Sequence, residues 1–549
     1  MATLTHEIRD IARFNHIMAV LAEAGMHNFL TRIKLKGKKL FNWQFKPQPE
    51  MSSAAKLRHA FENLGPTFIK FGQLLSVRPD LVPKEYVAEF SKLQDSVKEF
   101  DFEDAKIIIE TELGGPISKF FRSFSKTPLS AASIAQVYEA QLKNGQLVVV
   151  KVQRPRIREI IEHDLHILSF FAKMVEKHIE DAKKYNPAEV VEEFSKWIHQ
   201  ELDFQIEARN TERFYNTFKD SHTIKVPKVY MKYTAKRVLT LEKIEGVPLR
   251  KFHGDPKRNK IIMQALADTF LKQVMEDGYF HADPHPGNIL ITDHKVALID
   301  FGIVGSLDDD LKEQIAALLV SLVEHDLDGV INAILDMNIS EDDVNIKKLR
   351  QEIRQQLNLF YVKSANEYAA QDLADLTKIA HDNGMHLPLD FILLTKQILT
   401  LDGVSKLLVS NYSYVETITP YVKQFAESHR SLEYIKQRLE RRLKESLRAV
   451  DKAPMQIARF LHKLEKGKIT LAIETKELKE IEHLALGLES SSEKIALAFL
   501  IGTMSVGIAL FARVETLPML FGWPISRILF LVATFFGFWM IISILRAQV

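Results

Sequence analysis

The residues best suited to chemistry lie in His281-Ala282-Asp283-Pro284-His285-Pro286-Gly287-Asn288 and in Asp300-Phe301-Gly302, with Asn288 and Asp300 twelve positions apart. Asn288 and Asp300 offer hard oxygen atoms of the kind that hold Mg²⁺ against the phosphates of ATP. Asp283 is then placed to face an incoming nucleophile and orient or accept its proton. The apolar runs 289–291 and 296–299 flank Thr292-Asp293-His294-Lys295, so both loops are expected to hang from one hairpin. His281, Asp283 and His285 also alternate as zinc ligands on a strand would. Pro284 and Pro286 break such pairing, and His294 falls in the far turn, so packing and hydrogen bonding suit His281 better.

An Asp, four residues, an Asn and then Asp-Phe-Gly is the order of a protein-kinase catalytic loop and metal loop. The upstream half agrees with it. Val148-Val149-Val150-Lys151-Val152 reads as a buried strand whose lysine reaches nucleotide phosphates; without the downstream loops, Lys151 is better read as a solvated charge on an open face. A lysine in that role needs a carboxylate, and the helical stretch Glu201-Leu202-Asp203-Phe204-Gln205-Ile206-Glu207 supplies candidates. Leu241-Glu242-Lys243-Ile244-Glu245-Gly246 follows a strand as a segment between two lobes should, and the backbone around Ile244 is a candidate partner for adenine.

The elements that must position these groups can be read coarsely. Residues 1–125 read as helical, and strands begin near Pro128. Strands 136–142 and 147–152 join through Asn144-Gly145, a hairpin turn whose residues tolerate positive φ. Residues 156–218 return to helical periodicity, 226–230 and 237–241 read as short strands, and helices dominate from Asn259. Arg32, Lys34, Lys36, Lys38 and Lys39 form a basic cluster that suits anionic lipid or a solvated helix end. Residues 430–483 are dense in mixed charge and read as exposed helices.

Composition narrows the function classes. Of 549 residues, 46% are hydrophobic, which excludes a disordered or fibrous chain. With 73 basic against 71 acidic residues, the chain lacks the cationic excess of a nucleic-acid binder. No cysteine is present, so disulfides, thiolate metal sites and a cysteine nucleophile are excluded.

The C-terminal end is the most apolar part. Residues 495–511 and 528–545 carry no charge over 17 and 18 positions, close to the length that crosses a ~30 Å hydrocarbon layer. The expectation is a two-pass membrane anchor at 491–549, with the catalytic part cytoplasmic. Residues 1–30 lack a signal-peptide core and an Arg-rich presequence, which favours a bacterial inner (plasma) membrane.

These residues together resemble the UbiB family of atypical kinase-like proteins, associated with ubiquinone biosynthesis. The resemblance runs from about Leu57 to Asp310 and includes the terminal hairpin. It rests on Lys70-Phe71-Gly72-Gln73, on Ser130-Ala131-Ala132-Ser133, on Glu201-Leu202-Asp203 with Glu207 following, and on the two loops. Ser130 stands where the family usually has Ala. The resemblance implies an α+β, protein-kinase-like two-lobed fold with an N-terminal helical extension. It implies a helical extension over 1–125, lobes at 126–245 and 246–430, a charged linker at 431–490 and the anchor. Ser130–Ser133 replaces the usual glycine-rich phosphate cover, so the nucleotide should sit differently and transfer to protein should be poor. Glu207 is implied as the partner of Lys151. Lys70 and Gln73, on one helix face at i, i+3, are implied to close over the site against Glu201 and Asp203.

The expected activity is that of an Mg²⁺- and ATP-dependent enzyme supporting quinone biosynthesis. Its expected partners are a membrane lipid or quinone precursor and proteins of the pathway, with no nucleic acid. Two alternatives stand beside it: a protein kinase acting on a biosynthetic partner, and a non-catalytic membrane scaffold that binds nucleotide.

Overall fold

The computed structural model describes residues 2–26, 51–78, 81–93, 98–324, 326–338, 344–362 and 369–409, isolated positions from 418 to 424, and 519–520 and 523–524. The chain divides into two compact units, Met1–Gln437 and Arg438–Val549. The basic cluster at 32–39 and the charged stretch 430–483 lie outside the described residues.

In the first unit the chain opens with helices α1 (Ala2–Leu21), α2 (Ser53–Leu64), α3 (Pro66–Ser76), α4 (Lys84–Phe90) and α5 (Phe102–Leu113). The break between α2 and α3 is local chemistry: Gly65 takes φ 97° and Pro66 opens α3, where its missing N–H costs no helical bond. An antiparallel sheet follows, in the order β1 (Phe121–Ala131), β2 (Ala135–Leu142), β3 (Leu147–Gln153), β5 (Val238–Glu242). Between β3 and β5 the chain builds α6 (Ile157–His178), α7 (Pro187–Glu201), α8 (Phe204–Phe218) and the two-residue β4 (Ile224–Lys225).

Beyond β5, a small sheet runs β4-β9-β8-β6, from β6 (Val247–Pro248), β8 (Ile289–Ile291) and β9 (Val296–Leu298). A second pair joins β7 (Tyr279–His281) to β10 (Val304–Ser306). Around these pack α9 (Pro256–Leu271), α10 (Asp309–Val323), α11 (Leu327–Asp336), α12 (Ile346–Val362), α13 (Ala369–Asp382) and α14 (Leu389–Leu408). One apolar core serves this helical lobe, with Phe270, Phe280, Ile289, Phe301 and Ile398 all at or below 1% exposure. At roughly 1.5–3 kcal/mol per large side chain buried, this core holds the two loops in place. The kinase-like, mixed helix-and-sheet architecture is therefore present.

Local expectations need adjusting. The first strand begins at Phe121, not near Pro128. It is an edge strand with register shifts against β2, and most of it is exposed, so the alternation that announces a strand is missing. The hairpin turn uses positive φ only at Gly145 (89°), which follows a Gly145 N–H to Leu142 C=O turn bond. This is a type I turn closed by a glycine rather than a two-residue turn. The strand read at 226–230 is a single bridge, Val229 with Leu241, while β4 pairs in parallel with β9. Pro227 has no N–H to give a ladder.

The two-pass anchor and the membrane localisation are corrected. Among the described residues no helix is long and apolar enough to cross a membrane. The longest, α6, carries Arg158, Glu159, Glu162, Asp164, Lys173, Glu176 and Lys177 within 22 residues. Such a helix has one apolar face for the core and one charged face, not the uninterrupted apolar girth that lipid requires. The segments 495–511 and 528–545 lie outside the described residues. In the second unit, Met519–Leu520 pairs antiparallel with Trp523–Pro524.

Candidate active site

Lys151 lies in the middle of β3, between the buried Val150 and Val152. Its Nζ sits 3.0 and 2.8 Å from the two carboxylate oxygens of Glu207. Glu207 comes from the first turn of α8, whose buried stripe Phe204, Ala208, Thr211, Phe214, Phe218 seats that helix beneath the sheet. Phe204 also lies under the ammonium, 5.2 Å from Nζ to ring centroid. Burial disfavours the charge on Lys151, but Glu207 and Asp300 outweigh it and the lysine is held firmly protonated.

Ser130 and Ala131 end β1; Ala132 and Ser133 form its turn into β2. The turn is stapled, since Ala132 N–H donates to Ala135 C=O at 2.7 Å and Arg154 Nε donates to Ala132 C=O at 3.1 Å. Ser133 is fully buried. The turn opens β2, whose Val137 pairs with Lys151, and it carries side chains where a glycine loop has none. Ile244 stands on the segment joining β5 to β6. Lys243 anchors that segment through its N–H to Leu147 C=O at 3.2 Å and its ammonium to Glu139 at 2.8 Å.

The two loops are joined as the hairpin predicts. Ile299 N–H donates to Asn288 C=O at 3.1 Å, so the metal loop starts where the catalytic loop ends. Asn288 Nδ2 donates to Asp283 C=O at 3.2 Å, which leaves its Oδ1 as the remaining ligand atom. Gly302 N–H donates to Asp300 Oδ1 at 2.9 Å. Burial pushes the Asp300 carboxyl up, yet Lys151, the Gly302 N–H and Lys70 prevail and hold it at about 2. Two hard oxygen donors, one an obligate carboxylate, fit Mg²⁺. His281 is buried, and burial drives its pKa down to about 4, so the ring is neutral. Its Nδ1 accepts the Asp283 N–H at 3.4 Å, a loop-holding use that takes the nitrogen from any metal.

Phe301 locks the metal loop inward. Its ring stacks on Phe214 of α8 at 4.6 Å and packs against His281 at 5.1 Å. Asn210, one helical turn after Glu207, donates to Phe301 C=O at 3.1 Å and accepts from Tyr279 OH at 2.7 Å. The helix that holds Lys151 is thereby tied to both loops.

The helical extension closes on this arrangement. Lys70 of α3 is 7% exposed and ion-paired to Glu201 at the end of α7, with Trp197 5.9 Å from its Nζ. Gln73 donates to Leu93 C=O at 3.3 Å. Asp203 caps α8 by accepting the Gln205 N–H at 3.0 Å. Gly72 lets α3 approach its neighbours: a Cβ there would stand 2.3 Å from Leu93 Cδ1 and 2.8 Å from the Phe61 ring. Further clamps are Arg78 with Glu193 at 2.6 Å, Arg13 with Asp164 at 2.8 Å and with Leu64 C=O at 2.7 Å, and Lys84 with Asp375 of α13 at 2.6 Å. The last pair carries the extension across to the helical lobe.

Sequence reading missed two contributors. Asn210 was visible only as a polar residue in an amphipathic helix. Lys396 of α14 stands 3.1 Å from Asp283 Oδ1, and burial of Asp283 is overcome chiefly by this cation, which keeps the carboxyl below its ordinary range. Its signal was a lone charge in the apolar run Phe391-Ile392-Leu393-Leu394-Thr395-Lys396-Gln397-Ile398-Leu399.

Comparison with known proteins places this geometry among relatives. Residues 92–334 match the ABC1 atypical kinase-like domain, and 479–546 match the ABC1/UbiB kinase-like C-terminal domain. An uncharacterized protein in the hydrogenase 1 5′ region of Clostridium pasteurianum is 31% identical over 98% of this chain and 99% of its own length. A probable protein kinase UbiB from Marinobacter nauticus is 34% identical over 70% of this chain and 72% of its own. The chloroplastic protein Activity of BC1 complex kinase 7 of Arabidopsis thaliana is 33% identical over 77% and 63%.

Proposed function

The chain belongs to the UbiB family of ABC1 atypical kinase-like proteins, and from that premise we propose that it is an Mg²⁺-dependent ATPase supporting isoprenoid-quinone biosynthesis, acting on a membrane lipid intermediate or on the biosynthetic complex. Lys151, fixed by Glu207, binds the α- and β-phosphates, and the stapled turn 130–133 covers them. Asn288 and Asp300 hold the Mg²⁺, which neutralises charge on the phosphates when bound. Asp283 orients a water for attack on the γ-phosphorus. The P–O bond to the β-phosphate breaks, ADP and inorganic phosphate leave, and the water's proton passes to solvent.

The observation that carries ATP hydrolysis over transfer to a polypeptide is the Lys70–Glu201 ion pair. It sits behind an extension clamped to both lobes, through Arg78–Glu193 and Lys84–Asp375, where a peptide acceptor would otherwise approach. Removing one partner of a buried pair costs roughly 3–5 kcal/mol, so this lid is a standing feature of the fold. A lipid-borne phenol or a water enters a lidded site more readily than an extended chain does.

The test uses the full chain with Mg²⁺-ATP, with and without anionic liposomes and small phenolic quinone precursors. Phosphate release stimulated by both, and abolished by Asp300→Asn, supports the reading. Stoichiometric phosphate on a Ser or Thr of a partner protein points to a protein kinase. Biological function that survives Asp283→Asn points to a scaffold.

A further inference from the structure

Lys396 is an unusual residue for its place. It lies midway along α14, in a stretch whose neighbours Phe391, Ile392, Leu394, Thr395, Gln397, Ile398 and Leu401 are all buried. Its aliphatic stem crosses that apolar surface and delivers Nζ to 3.1 Å from Asp283 Oδ1, with the two side chains 21% and 25% exposed. Among the described helices of the lobe, α14 is fixed at both ends to the elements that carry the catalytic loop. Ser306 N–H of β10 donates to Asp390 Oδ1 at 2.9 Å, and Asn259 Nδ2 of α9 donates to Leu408 C=O at 2.8 Å. β10 pairs with β7 at Val304 and His281, two residues before Asp283. The position of Lys396 relative to Asp283 is thus set by rigid elements rather than by a loop.

The chemistry of the site asks for a cation at that point. Phosphoryl transfer spreads negative charge over the equatorial oxygens of the γ-phosphate, and catalysis is mostly positioning and electrostatic stabilisation of that charge. Lys151 serves the α- and β-phosphates, and a metal on Asn288 and Asp300 would serve the β- and γ-oxygens from the side away from the nucleophile. Asp283, on the nucleophile side, brings a negative charge of its own toward the same oxygens. We propose that Lys396 is a further catalytic residue, whose ammonium lies between Asp283 and the terminal phosphoryl group of bound ATP and stabilises the charge there. One Asp283 oxygen is held by Lys396, leaving the other to orient the nucleophile. This assignment rests on the ATP reading above and deepens it.

The experiment compares the full chain with Lys396→Gln and Lys396→Arg, measuring Mg²⁺-dependent affinity for ADP and for a non-hydrolysable ATP analogue, and single-turnover phosphate release. Lys396→Gln is expected to keep ADP affinity within about threefold, to weaken the ATP analogue about tenfold, and to slow release by about 10²-fold, the scale of losing one charge-stabilising contact. Lys396→Arg, which keeps the charge, is expected to regain at least tenfold of the lost rate. A purely structural lysine would weaken both nucleotides alike. An unchanged ratio of ATP-analogue to ADP affinity in Lys396→Gln overturns the assignment. If the wild-type chain binds neither nucleotide, the ATP reading itself is overturned, which is a different and separable result.

Discussion

Lys151 and Glu207 are 56 residues apart in the chain, yet the ammonium of one lies between both oxygens of the other, at 2.8 and 3.0 Å. The helices α6 and α7 fill that interval, and α8 brings the carboxylate back under β3. The pair fixes the distance between sheet and helix, and through Asn210 it also fixes the metal loop. A site assembled this way should respond to single changes in ways that separate binding, chemistry and closure.

Glu207→Gln leaves the half-buried Lys151 charged without its counter-ion. Loss of one partner of a fully buried pair costs roughly 3–5 kcal/mol, and with the Lys151 side chain 19% exposed the loss here is smaller, about 2–3 kcal/mol. Urea unfolding should show a stability loss of that order, together with weaker nucleotide binding; a variant as stable as wild type would mean that the pair is solvated.

Asp300→Asn removes the charged oxygen donor while keeping the Gly302 N–H contact. ATP hydrolysis should fall by about 10²-fold or more, as for loss of a charge-stabilising group. Titration with Mg²⁺ should show a requirement for much higher metal concentration. A variant with wild-type Mg²⁺ dependence would remove Asp300 from the metal site.

Gly72→Val tests the closeness of the lid helix. The Cβ would fall 2.3 Å from Leu93 Cδ1, so α3 must move away from its neighbours. Overpacking of this kind costs typically 1–3 kcal/mol. Amide exchange across 53–90 should speed up while exchange in β3 does not. Equal protection in the two proteins would show that the lid tolerates the side chain.

His281 gives the pH dependence. Burial lowers its pKa from 6.5 to about 4, so the native chain binds fewer protons than the unfolded chain between those values. Stability from this group is present above pH 6.5 and is lost as the pH falls toward 4. Between pH 7 and pH 5 the loss should be about 2 kcal/mol from this histidine alone. In His281→Asn the pH slope of the urea midpoint over that window should shrink by about one proton; an unchanged slope would assign the effect elsewhere.

Much of the site could be read from residue types and spacing because its parts are local. Asp283, Asn288 and Asp300 flank one hairpin, whose strands are short, apolar and separated by a polar turn. The sheet carrying Lys151 was equally legible, since β2 and β3 alternate buried and half-buried positions. The start of β1 was hidden because an irregular edge strand buries Phe121 but, with its register shifts, shows no regular alternation to announce it. Lys396 and Asn210 were hidden for another reason. Their roles depend on helices from distant parts of the chain meeting at the loops, and no periodicity reports such a meeting. The expectation of a membrane anchor came from hydrophobic run length and from the family resemblance, and the described helices do not supply one.

The most direct measurement follows the γ-phosphate. The full chain is incubated with Mg²⁺ and γ-labelled ATP beside candidate acceptor proteins, and labelled inorganic phosphate is counted separately from labelled protein. The lidded site predicts label in inorganic phosphate, lost in Asp300→Asn, with protein-bound label far below one per chain. Label accumulating on protein at one per chain, with little released, would contradict it.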